Sequence, residues 1–338
     1  MDSGIDRSTL GGVMTTAQRL ITTGFDASST ADDVVRGVDL TGVRAIVTGA
    51  SSGIGVETVR SLARAGAEVT LAIRNAPAGA KVAHEIMETT GNHNVHVRAL
   101  DLADRSSIAE FAGHWTGPLH LLINNAGVIL SDLHRTPEGW EHQFAVNHLG
   151  HFMLTLGLHD PLASGARERG EARIVAVSST AHMRSPVVFD DLHFERRAYD
   201  PQAAYAQSKT ANSLFAVEAT RRWAADGIVA NTVNPGGVAT GLQRDFTQRQ
   251  KDYLAAAEAA GAFAYKTVQQ GAATTMVAAV APELAHTGGH YLDDGREAHA
   301  VTNDADLFTN SHGVKQWALD PGAAMRLWAV SLELIHHP

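Results

Sequence analysis

Apolar residues in this chain fall into short unbroken runs that alternate with stretches of helical spacing. From residue 43 onward, "RAIVTGA" is an apolar run that ends at glycine. "GVETVRSLARAGA" then repeats apolar positions one helical turn apart and closes at Gly66, a residue suited to a helix C-terminus. "EVTLAI" is the second run and "AGAKVAHEIMETTG" the second helical pattern. "NVHVRALDL", "LHLLINNAG", "RIVAVSS" and "IVANTVNPG" are runs three to six, separated by helical patterns, notably around residues 140 to 160 and 203 to 226. Continuous apolar strands alternating with helices predict a doubly wound α/β domain over residues 41–338, with a parallel sheet covered by helices on both faces. Residues 1–40 are polar and broken up. They predict an arm packed on that domain, with Ser29 or Thr30 capping a short helix.

Two later segments are also readable from their pattern. "TTMVAAVAPELA" is too short to span a bilayer and predicts a buried helix. The amphipathic "AMRLWAVSLELI" has Arg326 as its one basic residue, so it fits core packing or a subunit interface better than a membrane surface. A homo-oligomer is therefore left open.

Composition narrows the function classes. The 338 residues are 44% hydrophobic and 19% charged, enough for a sizeable core. A net charge of −9 and the lack of a Lys/Arg block argue against nucleic acid as a partner. The chain has no cysteine, which excludes disulfides, thiolate catalysis and cysteine-held zinc, and fits a reducing cytoplasm. The N-terminus lacks the basic-then-apolar pattern of a secretory signal, and no run of 18 apolar residues suggests a transmembrane helix. A cytoplasmic enzyme acting on a small molecule is the expectation.

In sheets of this kind ligands bind at the carboxyl ends of the strands. Those ends carry "TGASSGIG", "IRN", "DLAD", "NNAG", "SSTAH" and "NPGGVATG", so the unusual residues fall on one edge. "TGASSGIG" lies between a strand and a helix, where Gly49, Gly53 and Gly55 would let backbone approach a pyrophosphate at the helix N-terminus. No Gly-Lys-Ser/Thr follows, which excludes a Walker loop. The second strand ends at Arg74, where an NAD-preferring fold often has a carboxylate. A guanidinium pairs with a ribose 2′-phosphate and stacks on adenine, and Ser51 and Ser52 add hydroxyl donors, so NADP is favoured.

Tyr205 and Lys209 stand one helical turn apart in "YAQSK". A phenol titrates near 10, and an ammonium beside it is expected to lower that value toward the range useful for proton transfer. "AVSSTAH" offers Ser178 and Ser179 to polarise a carbonyl, and Ser179, further out of the strand, is preferred. Asn147 interrupts a helical pattern as a mediocre helix former and is expected to hold a water that links the lysine to solvent.

Taken together, "TGASSGIG", "NNAG", Asn147, Ser179, "YAQSK" and "NPGGVATG" resemble the short-chain dehydrogenase/reductase family over roughly residues 43 to 242. The resemblance implies a Rossmann fold and an NADP(H)-dependent oxidoreductase acting on carbonyl or alcohol groups. It implies Tyr205 as proton donor, Lys209 as pKa modulator and ribose ligand, Ser179 as carbonyl polariser and Asn147 as relay support. It also implies Gly49, Ser51, Ser52, Gly53, Ile54 and Gly55 around the phosphates, and Asp101 and Leu102 on the adenine side. Asn125 and Gly127 would line the middle of the cofactor, and Pro235, Val238 and Thr240 its nicotinamide end. Within the family, "LAIRN", "SSTAH" and the long gap from Ser179 to Tyr205 are similar to the branch of retinol dehydrogenases and WW-domain oxidoreductases, which implies lipophilic aldehydes or ketones.

Segments 180–204 and 241–266 are expected to form the substrate wall. The second carries Leu242, Phe246, Tyr253, Leu254, Phe263 and Tyr265 among charges, a pattern suited to a lid. The chain has 18 histidines, and His93 and His96 are closely spaced. They stand at the entry to a strand, and no HExxH occurs, so no metal is expected. His182 and His193 fall beside the pocket as packing or substrate-contact residues. Two rival readings remain: an NADP-binding scaffold without catalysis, and an epimerase or dehydratase of nucleotide sugars.

Overall fold

The computed structural model describes residues 19–241, 248–259, 264–307 and 309–336. Its centre is an eight-stranded sheet. The strands are β1 (Arg44–Thr48), β2 (Glu68–Ile73), β3 (Val95–Ala99), β4 (Leu121–Asn124), β5 (Ala172–Val177), β6 (Ile228–Asn234), β7 (Tyr291–Asp293) and β8 (Arg296–Glu297). They lie in the order β3-β2-β1-β4-β5-β6-β7-β8. The first seven run parallel, and β8 turns back antiparallel to β7. The six strands read from the sequence are all present. β7 is an addition: its three residues are too few to show a period, yet they are fully buried beside β6.

Helices cover both faces. On one face α1 (Ala31–Val35), α2 (Ile54–Arg64) and α3 (Ala76–Thr90) share a core with Val47, Val69, Leu71 and Ile123 of the strands. On the other face α4 (Arg105–Gly113), α5 (His142–Phe144), a π turn (Ala145–Leu149), α6 (Gly150–Gly157), α7 (His159–Arg169) and α8 (Pro201–Trp223) close over Ile46, Leu122 and Ile174. After β6 come α9 (Gln248–Ala259), α10 (Val268–Gly271) and α11 (Ala273–Val280), and α11 belongs to the first face. The predicted "TTMVAAVAPELA" helix is α11, and all but its last residue are buried.

α12 (Pro321–His336) ends the chain on the second face. Trp328 stacks on Phe215 and meets Phe152 and Trp223 edge-on, with ring centroids 4.9–6.0 Å apart. Arg222 lies over the outer side of the same indole. The amphipathic pattern of this helix is thus spent on the core. Among the described residues no helix is long and apolar enough to cross a membrane.

The stretch before β1 also adheres to the domain. Thr30 caps α1 through a reciprocal capping box with Asp33. Ile21 exchanges main-chain and carboxylate hydrogen bonds with Glu297 of β8, and Ser61 of α2 donates to Asp32. The chain winds outward from β1 toward β3 and from β4 toward β8. Strand order therefore reverses between β1 and β4, and a crevice opens at their carboxyl ends.

Candidate active site

A cleft of about 1030 Å³ occupies that crevice. The turn after β1 forms its floor. Gly49 has φ +68°, and a Cβ there would meet Ala126 Cα at 2.7 Å. A Cβ on Gly55 would lie 2.7 Å from the Asn125 amide nitrogen. These approaches leave room for backbone only. Thr48 Oγ1 accepts from the N–H groups of Asn125 and Ala126, and the Asn125 side chain donates to the Thr48 carbonyl, so the ends of β1 and β4 are tied together. Gly53 caps α2 with no side-chain hydrogen bond, which leaves the positive end of the helix to a ligand. This backbone cradle fits a pyrophosphate.

Further along, Ser51, Ser52, Arg74, Asp101 and Leu102 line the same cleft. Arg74 is exposed and forms no ion pair with a described residue, so its guanidinium is available to a phosphate. At the other end stand Asn125, Gly127, Pro235, Val238 and Thr240 beside Ser179, Tyr205 and Lys209. Each residue expected from the sequence to bind the cofactor or to take part in catalysis lines this one cleft, except Asn147, which lies just behind it.

Ser179 follows β5 as the cap of a short helical turn and accepts from the Ala181 N–H. Tyr205 and Lys209 project from α8. The lysine ammonium donates to the Val177 carbonyl at 3.0 Å and lies 5.5 Å from the tyrosine ring centre. A Cβ on Gly127 would sit 3.4 Å from both Lys209 Nζ and Asn147 Oδ1, so the glycine keeps the space in front of the lysine open. Asn147 lies in the π turn, an irregularity often found at functional sites. Its side chain accepts from Val128 N–H at 2.8 Å and donates to the Val128 carbonyl and to Ser208 Oγ. These hydrogen bonds fix the loop after β4 and the back of α8.

The expected acidification of Tyr205 is corrected. Burial drives the phenol well above its ordinary value, and only a side-chain hydrogen bond with Ser179 pulls it down. Burial likewise lowers the Lys209 ammonium, to about 8. In this enclosed site desolvation outweighs the proximity of the pair, and Tyr205 stays protonated at neutral pH.

A stability effect follows from Lys209. The folded ammonium loses its proton near 8, the unfolded one near 10.5. Between these values the unfolded chain holds more protons, so stability rises with pH across the window. The full interval corresponds to about 3 kcal/mol. Above about pH 10 the raised phenols of Tyr205 and Tyr291 turn the slope downward. Lys209→Met is expected to melt higher than wild type at pH 7, with the gap narrowing toward about pH 9.5. Parallel melting curves over that range would mean that the ammonium is not desolvated.

The comparisons agree with this geometry. Residues 44–251 match the family model described as short chain dehydrogenase. The chain belongs to the short-chain dehydrogenase family. A "Probable oxidoreductase" of Streptomyces lividans is 49% identical over 86% of this chain and 97% of its own length. A "Polyprenol dehydrogenase" of Mus musculus is 41% identical over 86% of this chain and 83% of its own. A crystal structure of an uncharacterised protein from Mycobacterium paratuberculosis superposes with a TM-score of 0.67 at 31% identity, covering 93% of this chain and 98% of that one. As a short-chain dehydrogenase the protein is an oxidoreductase that works on CH–OH or C=O groups with a nicotinamide nucleotide.

The rest of this dehydrogenase's cleft combines segments read from the sequence with others that were not. Ala181, Arg184, Pro201 and Gln202 of the 180–204 segment line it, as do Thr240 and Gly241. Of the proposed lid residues, Leu242, Phe246, Phe263 and the side chains of Tyr253 and Leu254 lie outside the described residues. The sequence reading missed Val128, Ile129 and Leu130, although "AGVIL" directly after the fourth strand end was a signal, and it missed Leu307, for which no local signal exists. His182 is buried and His193 half-buried, and desolvation holds both neutral. His93 and His96 are exposed and join no metal-sized cluster. Among the described residues one group of that size exists, Asp293, Asp294 and His312. The Lys266 ammonium pairs with Asp294, Asn234 donates to Asp293, and His312 lies 2.7 Å from Asp293, so the cluster is already neutralised from within.

Proposed function

We propose that this chain is an NADP(H)-dependent carbonyl reductase for lipophilic ketones or aldehydes, with Tyr205 as proton donor. The observation that carries the reading is the grouping of Ser179 with the buried Tyr205 and Lys209 at one end of the cleft that begins at the glycine turn. The nicotinamide nucleotide, when bound, supplies the hydride.

The chain's own groups divide the remaining work. The α2 N-terminus with Gly49, Gly53, Ile54 and Gly55 holds the pyrophosphate, and Arg74 with Ser51 and Ser52 holds the 2′-phosphate. Asp101 and Leu102 bound the adenine. Asn125 and Gly127 bound the middle of the cofactor, and Pro235, Val238 and Thr240 its nicotinamide end. Lys209 donates to the nicotinamide ribose. Ser179 donates to the substrate oxygen, and Tyr205 hands its proton to the same oxygen as negative charge develops there. Burial keeps that proton on Tyr205 until it is needed, and the Lys209 ammonium then faces the phenolate left behind. Asn147 acts through Val128 and Ser208, keeping the lysine side of the cleft in place.

The substrate class is supported by apolar lining from Val128, Ile129, Leu130, Val146, Pro201 and Leu307, and by the lipophilic alcohol named for the mouse relative. Aldehydes of increasing alkyl length test it. Each buried methylene contributes about 0.8 kcal/mol, so kcat/KM with NADPH should rise about fourfold per carbon until the cleft is full. A flat series, with a polar sugar preferred, would sink the lipophilic reading.

A further inference from the structure

Behind the cleft, a buried histidine and a buried lysine join the C-terminal segment to the serine turn. Both ring nitrogens of His182 are committed. The Lys315 main-chain N–H donates to Nε2 at 3.3 Å, so Nε2 is the acceptor and the ring proton sits on Nδ1. Nδ1 in turn donates to the Ser179 carbonyl at 2.8 Å, with the Tyr291 hydroxyl 3.0 Å from the same nitrogen. The ring is fully buried, and desolvation keeps it neutral. Trp317 adds a hydrogen bond from its indole N–H to the His182 carbonyl.

Lys315 is itself only 2% exposed and forms no ion pair with a described residue. Its ammonium is spent on main-chain carbonyls, donating to those of Asn303 and Ala305. The exposed Asp304 carboxylate of the same loop lies near enough for the Lys315 charge to favour its ionised form, so the buried cation is tied to this loop by charge as well as by hydrogen bonds. The loop, residues 303–307, brings Leu307 to the cleft wall.

We propose that residues 303–307 and 314–317 are a working part of the active site: the Lys315 side chain fixes the Leu307 wall of the substrate pocket, while its main-chain N–H sets the His182 ring that orients Ser179. Leu307 is the specificity-determining residue here, and His182 and Lys315 are positioning residues. The proposal rests on the reading of Ser179 as the carbonyl-polarising group.

Three substitutions separate the two tasks. His182→Asn keeps a donor near the Nδ1 position and lacks an acceptor for Lys315. His182→Gln does the reverse. Because ångström-scale misplacement of a reacting group costs up to about a hundredfold, His182→Gln, which loses the donor to Ser179, should lower kcat at least about tenfold with KM unchanged, while His182→Asn, which keeps that donor and loses only the Lys315 tether, should fall by about threefold. Lys315→Met keeps its main-chain N–H, so kcat should hold while KM for long-chain substrates rises about fivefold or more through loss of the apolar wall. Equal activity of the two His182 variants, or proportional loss in all three, would overturn the proposal.

Two measurements on the nucleotide-free protein need no turnover. Nitrogen-15 shifts of the wild-type His182 ring should show a protonated Nδ1 and a bare Nε2, and the opposite tautomer would contradict the tether. Amide hydrogen exchange at residues 303–307 should quicken in Lys315→Met, and unchanged exchange would also contradict it. If wild type reduces no carbonyl compound, the functional reading fails while these two results still decide the tether.

Discussion

Tyr205→Phe is expected to lower turnover at least about a hundredfold while nucleotide affinity stays within about twofold, since a positioned acid commonly contributes that much. The phenol is buried and kept protonated by desolvation, so its removal deletes the donor and leaves the ring packing intact. Lys209→Ala should instead damage both turnover and nucleotide binding, because the ammonium faces the open space before Gly127 as well as the phenol. Steady-state rates and fluorescence titrations with NADPH measure both quantities. Near-normal turnover in Tyr205→Phe would remove the tyrosine from the mechanism, and another donor would then have to supply the proton.

Arg74→Asp should reverse the nucleotide preference. Arg74 lines the cleft beside Ser51 and Ser52, exposed and without an ion pair to a described residue. One charge-assisted hydrogen bond is worth roughly 1.5–3 kcal/mol, so its loss weakens NADPH binding about ten- to hundredfold. The new carboxylate repels a 2′-phosphate and accepts from ribose hydroxyls, which should improve NADH binding at the same time. Parallel losses for both nucleotides would show that Arg74 is a general anion contact. Equal wild-type affinity for the two would show that the end of β2 does not read the phosphate.

These two effects were legible in the sequence because their determinants are local. The glycine turn directly follows an apolar strand, Arg74 ends the next one, and Tyr205 and Lys209 share one helix. Thr30 and the six longer strands were readable for the same reason: caps and continuous apolar runs act within a few residues. What was hidden depends on distant partners. β7 has three residues and owes its strand form to β6. The bond from Lys315 to His182 spans 133 positions, so neither residue announced the other. The acidity of Tyr205 came out in the opposite direction because a spacing of four residues reports a neighbour but not the burial that outweighs it. Asn147 read as an interruption of a helical pattern, expected to hold a water for Lys209. The π turn and its bonds to Val128 and Ser208 give the interruption a purpose that no single segment contains.

The proposed reaction delivers hydride from NADPH and a proton from Tyr205 to a lipophilic carbonyl group. The most direct measurement is NADPH consumption by the wild-type protein with a long-chain aldehyde, with NADH run in parallel and Tyr205→Phe as the control. Steady turnover with NADPH, at least about tenfold slower with NADH at equal subsaturating concentrations and lost in the control, is the predicted result. Absence of turnover with either nucleotide across a carbonyl panel, or turnover that the control retains, would contradict it.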